Sequence, residues 1–219
     1  MTASVTTSAP SRARRRDWLI PLGLILLSLI PVIAGASRVT SLAIGVETTP
    51  ENARFVGMPI PVIVHVVGST VYCLLGAFQF HPGVRGRFPR WHRVAGRILV
   101  PMGLASALSG LWMTQFYALP PHDYGLLPLA RWVFGIGMTA ALLLGLAAAL
   151  RRDFTAHRAW MIRAYAIALG AGTQAITMLA WLAIAGESGA ESTKAVPMIA
   201  GWVVNLAVAE WIIRRRRTS

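Results

Sequence analysis

Six stretches of this chain are apolar over lengths that no soluble helix needs: Trp18–Gly35, Pro59–Phe80, Val94–Tyr117, Leu127–Leu150, His157–Ala185 and Val196–Ile213. About 20 residues at 1.5 Å rise cross the roughly 30 Å hydrocarbon layer of a bilayer. Inside that layer the backbone has no water to bond to, so each stretch has to close its own hydrogen bonds as a helix. The pattern predicts an all-α polytopic integral membrane protein, a bundle of six transmembrane helices.

Composition agrees. Of 219 residues, 55% are apolar and only 13% charged, against about a quarter charged in a soluble domain. Low charge and high apolar content exclude disorder and coiled coil. The single cysteine, Cys73, excludes a disulfide scaffold. A net charge of +13 suits a nucleic-acid binder only if the cations line one helical face, whereas here they fall in clumps between the apolar runs. No nucleic-acid partner is expected, and the bilayer is the partner the sequence implies.

The clumps fix an orientation, because Lys and Arg are retained on the cytoplasmic side. With both termini inside, one face holds Arg12, Arg14–Arg16, Arg85, Arg87, Arg90, Arg93, Arg97, Arg151, Arg152, Arg158, Arg163 and Arg214–Arg217. Four cations are left for the outer face: Arg38, Arg54, Arg131 and Lys194. Acidic residues lean outward, with Glu47, Glu51, Asp123, Glu187 and Glu191 outside and Asp17, Asp153 and Glu210 inside. The first helix has a rival reading as a secretion signal, since Arg14–Arg16 precede an apolar run ending in Ala34-Gly35-Ala36. Its length favours an uncleaved span over a signal core of about 7–15 residues.

Residues 1–11 read as a disordered cytoplasmic tail, and 12–217 as one six-helix domain. The outer loop 36–58 leaves room for a short interfacial helix around Val39–Val46, and the remaining loops are short enough to make consecutive helices antiparallel neighbours. Small residues at multiples of four, Gly68 with Gly76, Ser106 with Gly110, and Ala141, Gly145 and Ala149, mark close helix approaches. Gly170-Ala171-Gly172 in the fifth span allows a tight crossing or a bend. The third and fifth spans both open on a His-Arg pair, which hints at two parallel repeats of a hairpin.

Ionisable residues within spans are candidates for function. His65 lies about six residues into the second span from its outer end; it is either functional or an interfacial imidazole bonded to water or a backbone carbonyl. His81, His92 and His157 share a depth at the inner face. Two neutral imidazoles there, His92 and His157, suffice for the axial ligands of one b-type haem, with Arg93, Arg97, Arg158 and Arg163 for its propionates. The same cluster suits a quinone or an anionic headgroup. The topology rule alone also gathers Arg, His, Trp91, Trp160 and Trp211 at an inner interface. His65 stands about 20 Å from the inner histidines along the normal, too far to share a metal with them. A second, outer haem has only His122 to draw on, which makes one haem the limit. Gln79, Gln115, Thr173, Gln174, Thr177 and Asn205 are scattered, each suited to an interhelical bond of about one kcal/mol or less. No phosphate loop, His-Glu-x-x-His signature or nucleophile elbow occurs.

Taken together, His65, Gln79-Phe80, Arg90-x-His92-Arg93-x-x-Gly96-Arg97 and His157-Arg158-x-Trp160-Met161-x-Arg163 make the chain resemble the bacterial predicted membrane proteins grouped as domain of unknown function 2306, from about Pro59 to Ala185. That resemblance implies a multi-pass protein of the bacterial inner membrane and brings no established activity. The family pattern often carries an Arg near Gln174, and this chain does not. A fainter likeness to cytochrome b561 and ferric-reductase proteins raises the case for haem. The leading expectation is a redox protein with one haem b or quinone site at the cytoplasmic face. The alternatives are a binding or transport protein for a lipid headgroup or organic anion, with His65 at an outer gate, and a scaffold subunit.

Overall fold

Helices, turns and short connections account for all the described residues, 12–120 and 123–215 of a computed structural model, and no strand occurs among them. Side chains are described for all of these except 12–16, 82, 85 and 188–192. The expected tail 1–11 and His122 lie outside the described residues. The long helices are α1 (Arg12–Ala43), α3 (Pro59–Ala77), α5 (Pro89–Phe116), α6 (Leu126–Leu150), α7 (Phe154–Ala168), α8 (Gly170–Ser192) and α9 (Ala195–Arg215), with short α2 (Ala53–Gly57) and α4 (Pro82–Arg87) between them. Among the described residues five helices are long and apolar enough to cross a membrane, and the count is six if α7 with the first part of α8, bent by 44°, is taken as one broken span. The chain is an all-α polytopic membrane protein. We call the end holding the α3–α5 and α6–α7 connections the basic end, and the opposite one the distal end.

Helices α3, α5, α6 and α7 form a four-sided ring, each packed on the next in chain order and α7 closing onto α3. Tyr72, Leu99, Met138, Leu142, Ala164 and Tyr165 fill its centre. The small residues let the backbones approach. A Cβ on Gly68 would stand 2.8 Å from the carbonyl oxygen of Met102 and 3.1 Å from the nitrogen of Ser106, so α3 and α5 touch backbone to backbone there. Outside the ring, α9 packs on α6, α7 and α8, and α1 spans the gap between α3 and α8.

Helix α1 continues to Ala43, so the stretch expected as an interfacial helix at Val39–Val46 is largely its last turn, and the short helix of this loop is α2 instead. The Gly170-Ala171-Gly172 segment both bends and packs tightly. The fifth span breaks at Leu169, Gly170 lies against the indole of Trp202, and Gly172 lies against the carbonyl of Leu27. That carbonyl has lost its helical donor because Pro31, four residues on, has no N–H. Across the break, Asn205 donates to the oxygen of Ala166 (3.1 Å) and receives the hydroxyl of Thr173 (2.8 Å). Gln174 and Thr177 donate to the carbonyls of Met198 (2.8 Å) and Pro197 (2.7 Å).

The α3–α5 crossing has no room for a side chain. Gly68→Val should lower the stability of the detergent-solubilised protein by about 1–3 kcal/mol; an unchanged thermal midpoint would show that the two helices do not cross at this residue.

Candidate functional site

A cavity of about 560 Å³ lies in the distal half of the bundle. Its walls come from α1 (Ser28, Pro31, Gly35), α3 (His65, Ser69, Cys73), α5 (Ser106, Gly110, Thr114), α6 (Phe134, Met138) and the α7–α8 break (Leu169, Gly172). Pro31 and the break at Leu169 both line it. That is the placement lipid allows, since a non-helical backbone survives at membrane depth only where protein or a cavity surrounds it.

The wall is less polar than its residue types suggest. Ser28 donates to the carbonyl of Leu24 (2.8 Å), Ser69 to Val66 (3.1 Å) and Thr114 to Gly110 (2.9 Å), each on its own helix. These hydroxyls are satisfied locally and leave methylene and ring surface facing inward. His65 bonds through Nδ1 to the carbonyl of Ser106 at 2.8 Å. A carbonyl only accepts, so Nδ1 carries the proton and Nε2 keeps the lone pair in the neutral ring. Gly110 makes this possible, since a Cβ there would stand 3.3 Å from the imidazole Cε1. His65 thus bonds a neighbouring carbonyl, as one of its two readings expects, and it also lines the cavity.

The mouth of the cavity is charged. Arg38 and Arg54 place their guanidinium carbons 4.7 and 4.5 Å from the ring centre of Phe55, one on α1 and the other on α2. Phe55 meets Tyr117 edge-on at 5.5 Å, and the Tyr117 hydroxyl donates to the carbonyl of Met58 at 2.6 Å. Asp123, nearly buried, is held between Arg131 and Lys194, both at 2.7 Å. Arg38, Arg54, Arg131 and Asp123 all line the cavity. Three cations thus line the mouth beside one carboxylate, and a fourth, Lys194, reaches that carboxylate from outside the lining. Burial lowers the pKa of Arg54, and Arg38 and Arg131 lower it further while Asp123 opposes them; a guanidinium stays charged near neutral pH all the same. The sequence search missed this cluster. The signal was present: these are the four cations that the inner-face rule left over.

At the basic end the expected pairs separate. His92 is half-buried while Arg93 and Arg97 share an exposed face of α5, on the side away from buried Ala95 and Leu99. His157 bonds through Nδ1 to the carbonyl of Gly145 at 2.8 Å, and Arg158 is half-buried. Arg163 is engaged by Glu210 through Nε to Oε1 (2.5 Å) and Nη2 to Oε2 (3.1 Å), and lies over Trp160 at 4.7 Å. Glu210 therefore faces Arg163 across helices more closely than Arg214 along its own, which stands 3.9 Å away. His81 accepts the N–H of Val84 on Nδ1 (3.0 Å), capping α4, and meets Trp18 edge-on at 4.3 Å. Its Nε2 and both amide atoms of Gln79 are buried without hydrogen-bond partners. Helix α6 stands between α5 and α7, so His92 and His157 occupy opposite corners of the ring. Among the described residues, no group of three or more His, Cys, Asp or Glu could hold a metal ion.

Fold and site thus define a multi-pass helical membrane protein enclosing an apolar cavity with a cationic mouth. The chain belongs to the family described as predicted membrane protein (DUF2306), whose signature matches residues 62–213. The match runs through α9, further than the motif likeness reached, and leaves out α1 and α2. No curated protein and no solved structure matches the chain.

Asp123 ties the α5–α6 connection to α6 and to the start of α9. Burial pushes its carboxyl up, but the hydrogen bonds and charges of Lys194 and Arg131 outweigh that and hold it below the ordinary 3.8. A folded value below the unfolded one contributes stability above the unfolded value and loses it as pH falls through the folded one. The gap in melting temperature between the native protein and Asp123→Asn should therefore hold steady from neutral pH down to about pH 5 and close below about pH 4. A gap that persists unchanged in acid would remove Asp123 from this role.

Proposed function

We propose that the protein binds an amphipathic organic anion, its carboxylate or phosphate head at Arg38 and Arg54 and its apolar part in the cavity below. The observation that carries this reading is the convergence of three cations, Arg38, Arg54 and Arg131, on the mouth of a largely apolar chamber, with Lys194 behind them on Asp123. A volume of about 560 Å³ falls within the roughly 300–1,000 Å³ of small-molecule sites, which are apolar with a few placed polar groups. Arg131 and Lys194 share Asp123, whereas Arg38 and Arg54 rest on the face of Phe55, Arg54 giving one long bond to the carbonyl of Ala118 (3.5 Å), so theirs are the guanidinium groups with donors left for a guest. With the basic end toward the cytoplasm of a bacterial inner membrane, as the charge rule directs, the mouth opens on the outer side. His65 then lines a binding chamber, with a ring acceptor at Nε2.

Binding to the native state raises the melting temperature in proportion to ligand excess over Kd. Decanoate or decyl phosphate should stabilise the protein in a non-ionic detergent. Arg38→Gln and Arg54→Gln should each weaken that affinity on the order of tenfold, the loss of one charge-assisted hydrogen bond. Undiminished affinity in the double variant would overturn the reading.

A redox reading is supported by a separate observation at the basic end. The His157 Nδ1–H bond to the Gly145 carbonyl leaves Nε2 with the lone pair, the arrangement by which ligating imidazoles are oriented. His92 at the opposite corner would supply the second ligand of one b-type haem, Arg93, Arg97 and Arg158 being the cations on the same two helices. For a quinone, the donors are the Nε2–H of His81 and the Gln79 amide. Purification from a haem-replete host should give a Soret band that shifts with dithionite and disappears when His92 and His157 are both Ala. A featureless spectrum would end the haem version.

A further inference from the structure

We infer that the occupant of the distal cavity is a single-chain lipid anion that enters sideways from the bilayer, past the distal half of α1; this rests on the cavity being an anion-binding site. Three observations support it. The first is position: α1 is the wall that closes the gap between α3 and α8, and its other face exposes Leu26, Ile30 and Ile33, so the cavity is one helix away from lipid.

The second is how unevenly that wall is held. Toward the basic end α1 is anchored: Trp18 meets Phe78 and His81, Pro21 and Ser28 are buried, and Leu27 presents its carbonyl to Gly172. Past Ser28 no residue of α1 is buried. Pro31 marks the boundary, where a missing N–H and the ring's clash with the preceding turn weaken a helix. Beyond it, α1 leans on the rest through Gly35 against Val66 and Arg38 against Phe55. The segment is a lever with its hinge at Pro31.

The third is chemistry. Arg38 sits on the moving part, so the same motion that opens the side wall withdraws one of the two guanidinium groups from the mouth, and an anionic head draws it back. The chamber reaches from Val62 to Cys73 along α3, about 16 Å at helical rise, and its hydroxyls are directed to their own backbone. A chain fits that surface, and a bare inorganic anion leaves it empty.

The test uses a disulfide across the side wall. An ideal Cβ at Gly35 stands 3.6 Å from Cβ of Val66, within the range of native disulfides. The double variant Gly35→Cys/Val66→Cys is placed in nanodiscs, and decyl phosphate with a brominated tail is followed by quenching of Trp202, which lines the cavity. The oxidised protein should take up the probe at least tenfold more slowly than the reduced one. Pro31→Ala, which restores the helical hydrogen bond and keeps the bundle intact, should slow both uptake and release in an otherwise native chain. Inorganic phosphate should fail to compete at concentrations where decyl phosphate saturates. Equal uptake rates in oxidised and reduced protein, with Pro31→Ala matching the native rates, would overturn sideways entry and leave the anion site standing. Competition by inorganic phosphate at similar concentrations would overturn the lipid class. A native protein that never takes up the probe would overturn the anion site itself, and this inference with it.

Discussion

In hydrocarbon a backbone carbonyl that finds no donor costs several kcal/mol, and helices exist there to avoid that cost. This chain departs from the rule at several prolines and at one helix break, and two of these departures meet. Pro31 releases the carbonyl of Leu27, and the break at Leu169 releases carbonyls near the end of α7. Neither defect stands alone. Gly172, just past one break, is backed onto the carbonyl freed by the other, and Asn205 reaches from α9 to Ala166. The small residues and the interhelical amides are best understood as repairs to this junction. A repaired junction holds its helices apart on one side, and the cavity is the space so made.

That arrangement explains how the two ends of the bundle differ. Toward the basic end the ring of α3, α5, α6 and α7 is filled by aromatic and aliphatic side chains, with Phe80 tilted onto Tyr165 and the Tyr165 hydroxyl bonded to the carbonyl of Cys73 (2.5 Å). Charges there are exposed, as on Arg93 and Arg97, or matched, as between Arg163 and Glu210. Toward the distal end the same helices diverge around a chamber, and the cations at its rim outnumber the carboxylates among them.

The spans were legible in the sequence because lipid dictates them. A fixed thickness sets the length of each run, and the charge bias counts the crossings. The distal site was not legible for a related reason. Its cations come from α1, α2, α6 and the turn before α9, and no local spacing links Arg38 to Lys194. Local pairing drew attention to the His-Arg steps instead, and helical geometry separates those: consecutive residues point about 100° apart, so His92 turns inward as Arg93 turns out. The small-residue spacing marks Gly110 and Gly145 as packing residues, which they are; that Gly110 also admits an imidazole, and that the Gly145 carbonyl accepts one, became visible only once the facing helix was in place.

The charge rule itself gives the strongest reason to take the mouth seriously. Placing Lys or Arg on the far side of a membrane works against the retention that orients the chain, and an isolated cation there is tolerated at a cost rather than favoured. With the basic end cytoplasmic, as proposed, four such residues scattered over the outer loops would be noise in that pattern. Here they meet: Asp123 binds two of them, and the other two are stacked on one phenyl ring. One carboxylate leaves an excess of positive charge at the rim of a low-dielectric chamber, where mutual repulsion is poorly screened. A guest carrying a negative head removes that repulsion and fills the apolar space in one step, which is why an anionic amphiphile fits this geometry better than a neutral ligand or a bare ion.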